Sequence, residues 1–195
     1  MENNQSTEIR HRLLGITALA ARYCVTVENA AESEPKEFIA GMLNVLPRIY
    51  IEFNDLDPRE SYAGLEPEED HPYYGSYVDE DYYENIRRHI ETLLGPDDTF
   101  LETFEEDMKY SETPIAASIS ECLADIFQPL YNFISIVKES DADELEGAYR
   151  ECHENFVAYW SQTLCNVLRP LNNLFYNNNW PESEDDPFDS ENGEF

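Results

Sequence analysis

The sequence predicts an all-α fold, a single-domain bundle of five or six helices. Three observations lead there. Apolar residues recur at helical spacing through most of the chain. No stretch makes a convincing strand. Only 7 of 195 residues are glycine, which argues against a β-rich or glycine-loop architecture.

Ser6 to Ala31 reads as a first helix, with Ser6 or Thr7 as its cap and a stripe at Ile9, Leu13, Ile16, Ala20, Tyr23 and Val27. Pro35 opens a second, with Phe38, Met42, Leu46, Ile49 and Phe53 inward. Pro47 lies inside that pattern and predicts a kink or break. Asp55 to Val78 has three prolines, two glycines, several tyrosines and no sustained period. It reads as a long acidic, tyrosine-rich loop, with a short strand or turn around Tyr73 to Val78. Asp79 caps a third helix, with Tyr82, Ile86, Ile90 and Leu93 inward and Gly95 as its stop. Pro96 and Asp97 begin a short fourth helix with Phe100, Leu101, Phe104 and Met108 apolar.

The bundle is organised around Thr113 to Lys138. Thr113 suits the cap and Pro114 the first helical position. One apolar row runs Ile115, Ile119, Cys122, Ile126, Leu130, Phe133, Val137, and a second runs Ala116, Leu123, Phe127, Tyr131, Ile134. Together they cover most of the cylinder, as in a helix buried on several sides. The remainder is one narrow polar row: Ser118, Glu121, Asp125, Gln128, Asn132 and Ser135. Such a row faces water, hydrogen-bonds neighbouring helices, or lines a cleft. Pro129 predicts a bend, since the stripe continues in register beyond it. After KESDADE, capped by Asp141 or Asp143, a last long helix runs to about Tyr176. Its stripe is Leu145, Tyr149, Cys152, Phe156, Trp160, Leu164, Val167, Leu171 and Leu174, with a bend at Pro170. The helical domain thus spans residues 1–176. Residues 177–195 form an asparagine-rich and then acidic tail, with seven acids and no base, which reads as disordered.

The formal charge is −30. It is unevenly spread: six acids face five bases through residue 51, whereas Glu52 to Glu112 holds twenty acids and four bases. A field of this sign repels nucleic acid and anionic membranes. No apolar run approaches the roughly 20 residues of a membrane span, and the first residues lack a secretory pattern. The cysteines at 24, 122, 152 and 165 form no CxxC and lie on or beside apolar helix faces, as buried free thiols do. A cytoplasmic protein is expected.

Phe100 to Ile134, FLETFEEDMKYSETPIAASISECLADIFQPLYNFI, resembles an uncharacterised helical family of short acidic proteins from Bacteroidetes, domain of unknown function 5063. HENFVAYWSQTLCNVLRPL, from His153, and YCVTVENA, from Tyr23, are similar to it too. The resemblance covers most of residues 10–172. It implies an all-helical fold and no established activity.

The sharpest chemical pattern is paired carboxylates. Glu102 and Glu105 stand three apart on the expected fourth helix; Glu121 and Asp125 stand four apart on the central one. If those helices pack antiparallel, four hard oxygen ligands converge, a set suited to Mg²⁺ or Mn²⁺. The plan is similar to that of all-α nucleotide pyrophosphatases of the MazG type, although ExxxD stands here where those have ExxD. Among 42 acidic residues, chance pairs at this spacing are also expected. His11, His71, His89 and His153 form no ligand set, and no nucleotide loop or nucleophile elbow occurs.

Two functions follow. The first is a non-enzymatic binding or adaptor protein whose acidic, tyrosine-rich surface, including Tyr73, Tyr74, Tyr77, Tyr82 and Tyr83, takes a basic protein and no nucleic acid. The alternative is a Mg²⁺-dependent hydrolase of a nucleotide or phosphorylated metabolite, with Arg87, Arg88 or Lys109 clamping the phosphate.

Overall fold

The structure, a computed structural model, describes residues 2–58, 75–102, 115–139, 144–178 and 180, with side chains from residue 9 onward. Among the described residues are six α-helices: α1 (Glu2–Glu28), α2 (Pro35–Asp55), α3 (Glu80–Leu94), α4 (Ile119–Glu139), α5 (Leu145–Asn155) and α6 (Ser161–Asn177). A π-helical segment, Phe156–Trp160, joins α5 to α6 without interrupting the rod.

α4 is the centre. It packs against α1, α3, α5 and α6, while α2 closes the bundle against α1 and α6. Ile119, Leu123, Ile126, Phe127, Leu130 and Phe133 are buried, as the apolar cover of this helix requires. Each such side chain removed from water contributes about 1.5–3 kcal/mol. The expected stripes of α1 and α2 are buried too, with Ile9 only partly covered. Phe53 sits in an aromatic block with Tyr149, His153, Phe156 and Trp160, at centroid distances from 4.9 to 6.2 Å.

Local chemistry sets the ends. The Asp79 side chain accepts from the Tyr82 N–H and caps α3. Gly95, at φ 54°, ends that helix in a conformation that a side chain disfavours. α2 runs through Pro47 and α4 through Pro129 without a break.

Two expectations are corrected. Residues 95–98 form a 3-10 turn, and Thr99–Leu101 is a strand, β1, rather than the start of a fourth helix. It pairs antiparallel with β2, Ala116–Ser118, in the register Thr99↔Ser118 and Leu101↔Ala116. α4 therefore begins at Ile119 and not at Thr113, because residues 116–118 are held in this ribbon. The 59–74 part of the acidic loop, Glu105, Thr113, the Asp141 and Asp143 caps and the tail from 181 lie outside the described residues. No described helix is long and apolar enough to cross a membrane.

Candidate functional site

The polar row of α4 lines a cleft from Ser118 to Asn132. Asp125, Gln128, Asn132 and Ser135 are half-buried, as is Ser118 just ahead of the helix, while Glu121 is exposed. Opposite stand the π segment and the first turns of α6. Between them lies a space of about 370 Å³, walled by Glu102, Ser118, Glu121 and Asp125 on one side and Tyr159, Gln162, Thr163 and Asn166 on the other. A second space of about 190 Å³ continues along α4, lined by Asp125, Gln128, Asn132, Asn155, Tyr159 and Trp160. Neither is lined by a lysine or arginine among the described residues.

Asp125 stands where the two spaces meet. One of its oxygens accepts from the Tyr83 hydroxyl and the other from the Tyr159 hydroxyl, both at 2.6 Å. These are short charge-assisted bonds. They tie α3 and the π segment to α4. The bond to Asp125, followed by partial burial, pushes the Tyr159 phenol up to about 12. Burial first and then Asp125 push Tyr83 well above its ordinary value. Burial, reinforced by Asp125, Glu102 and Glu121, pushes the Cys122 thiol up to about 12, so it is no thiolate nucleophile at neutral pH.

Prolines add two backbone acceptors. Pro129 and Pro170 have no N–H, so the carbonyls four residues earlier, on Asp125 and Asn166, lack their helical donor. Both residues line the cleft. Carboxylates, hydroxyls and amides together make a wall rich in acceptors.

Of the four carboxylates singled out by spacing, Glu102, Glu121 and Asp125 line one cleft, and Glu105 lies outside the described residues. Glu102 reaches the cleft from the end of β1, with its N–H bonded to the Ile115 carbonyl, and not from a helix. Among the described residues no group of three His, Cys, Asp or Glu is placed to hold a metal ion. Arg87 bonds Glu84 and Glu91, and Arg88 lies 3.6 Å from Glu84, all on α3. Lys109 is outside the described residues. The described tyrosines of the acidic stretch also make structural contacts: Tyr77, ahead of α3, donates to Glu139 at the end of α4, and Tyr82 on α3 donates to Glu28 at the end of α1.

Several roles escaped the sequence reading. Asp98, 5% exposed, accepts from both the N–H and the hydroxyl of Ser120. His153 donates from Nε2 to the Phe53 carbonyl at 3.0 Å, and Tyr149 donates to the Leu56 carbonyl at 2.8 Å, which satisfies the end of α2. Cys165 is exposed rather than buried. The π segment did leave a signal: the stripe steps by four at Cys152, Phe156, Trp160 and Leu164 in succession. That drift exceeds the 3.6-residue period, and one inserted residue absorbs it.

Residues 8–177 match the model of a family described as domain of unknown function (DUF5063). The fold is similar to the crystal structure of protein BF1032 from Bacteroides fragilis, a structural-genomics target. The two are 25% identical, with a TM-score of 0.70, over 87% of this chain and 96% of that one. No curated protein matches the chain.

Proposed function

The chain belongs to the DUF5063 family, which brings no activity with it, and from its cleft we propose a binding protein that takes a basic segment of a partner protein. One observation carries this reading. Glu121, Asp125 and a half-buried polar row line a cleft whose described lining holds no lysine or arginine. Ligand cations are the complement of such a wall. The charge of −30 turns nucleic acid away and speeds the approach of a basic protein. Four free cysteines fit a reducing, cytoplasmic setting.

Calorimetric titration with a lysine- and arginine-containing peptide tests this. Binding that weakens with salt, and weakens further in Glu121→Gln and Asp125→Asn, supports the reading. Binding that ignores both salt and these substitutions contradicts it.

A second reading rests on Glu102, Glu121 and Asp125 together. They would hold Mg²⁺ for hydrolysis of a nucleotide or phosphorylated metabolite. It ranks second because no three described His, Cys, Asp or Glu side chains are placed to hold an ion, and because no described basic side chain lines the cleft to receive phosphate. Mg²⁺-dependent phosphate release that Glu121→Gln abolishes would reverse the order.

A further inference from the structure

We propose that Tyr159 is a gate dividing one continuous peptide-length groove, and that an incoming arginine or lysine side chain displaces its hydroxyl from Asp125. The inference rests on the basic-segment reading above and adds how that site is opened and what shape of ligand it admits.

The geometry supplies the gate. The larger and smaller spaces along α4 share two lining residues, Asp125 and Tyr159. The Tyr159 hydroxyl meets Asp125 Oδ2 at 2.6 Å, so the side chain closes the line between them. Its residue is nevertheless 57% exposed, which leaves room outside for the ring to swing. Tyr83, half-buried on α3, holds the other oxygen and keeps the carboxylate in place when Tyr159 leaves. The two phenols thus have unequal duties, one an anchor and one a removable plug. Tyr159 also sits in the π segment, an irregularity of the kind that often marks functional positions.

The ligand follows from what the gate separates. On one side are Glu102 and Glu121; on the other are the amides Gln128, Asn132 and Asn155. A guanidinium or ammonium group matches the acidic end and replaces the phenol as the donor to Asp125. Asn132 Oδ1 already accepts from the Tyr77 N–H and Asn155 Nδ2 already donates to the Glu151 carbonyl, but each amide keeps further donor and acceptor capacity, which suits a peptide backbone. From Glu121 to Asn132 the helix rises about 16 Å at 1.5 Å per residue. An extended chain covers that distance with about five residues. The fit is to a short extended basic peptide, not to a compact cation.

Calorimetry with a pentapeptide carrying one central arginine, set against arginine amide alone, tests the gate. Tyr159→Phe keeps the ring and removes the competing hydroxyl, so the pentapeptide should bind up to roughly tenfold more tightly, the scale of one charge-assisted hydrogen bond. Tyr176→Phe, on an exposed tyrosine at the end of α6, is the control and should match the wild type. With 3-fluorotyrosine incorporated, the ¹⁹F signal absent from Tyr159→Phe should shift when the pentapeptide binds to the wild type. Salt-sensitive peptide binding that is equal in wild type and Tyr159→Phe, with that signal unmoved, overturns the gate and leaves the basic-segment reading standing. Arginine amide binding as tightly as the pentapeptide overturns the peptide-length groove. No binding of either probe overturns both.

Discussion

Asp98 accepts two buried hydrogen bonds from Ser120, one from the backbone N–H and one from the hydroxyl, each 2.7 Å long. A turn residue of one segment thereby caps the first turn of the central helix of another. The cap and the β1–β2 ribbon together fix where α4 begins, and so where Glu121 and Asp125 stand along the cleft.

Asp98→Ala should therefore weaken the fold by about 1–2 kcal/mol, the usual range for a lost helix cap. Asp98→Asn keeps one acceptor and should cost less. Urea unfolding monitored by circular dichroism ranks the three proteins. Equal midpoints would show that the contact does not hold α4.

The anchor at Tyr83 is separable from the gate. Tyr83→Phe should cost about 1–2 kcal/mol, since it removes a short bond to a carboxylate in a half-buried site. A double-mutant cycle with Asp125→Ala should give a coupling of the same order. Purely additive losses would mean that the 2.6 Å contact contributes little.

These details show what the sequence made legible. The rods of α1, α2, α3 and α4 follow from spacing alone, because an apolar stripe has few ways to be buried. The polar row of α4 was visible as a row. That it lines a cleft depends on the facing helix, where a one-residue π insertion places Tyr159 beside Asp125. The Asp98 cap was hidden because its partner lies 22 residues away, and local cap rules look only at the nearest few positions. Thr113 satisfied those rules, yet the helix begins at Ile119, because pairing with Thr99–Leu101 competes for residues 116–118. Glu102 reached the cleft by a route that helix spacing did not anticipate, from a strand.

Alkaline pH should loosen the molecule. Tyr159 rises from an ordinary 10.0 to about 12 in the fold, and Cys122 from 9.0 to about 12. A raised folded-state value means that the neutral form is favoured by folding. The contribution is full below about pH 9, where both groups are neutral even when unfolded. It is lost as pH climbs toward about 12. Urea midpoints should fall across that window, and less steeply in Tyr159→Phe. A flat profile would contradict these shifts.

Salt should act in opposite senses on folding and on binding. At −30 the folded chain repels itself, so added salt should raise the melting temperature through screening. The same screening should weaken peptide binding. A melting temperature that falls with sodium chloride would show that attractive pairs, such as Arg87 with Glu84 and Glu91, outweigh the repulsion.

The most direct test of the binding surface is amide chemical-shift mapping by NMR during titration with the one-arginine pentapeptide. The account predicts that the largest shifts fall together on Glu121, Asp125, Gln128, Asn132, Tyr159 and Gln162, along one line of α4 and its facing helix. Shifts confined to the acidic residues after 180, with that line unmoved, would contradict it.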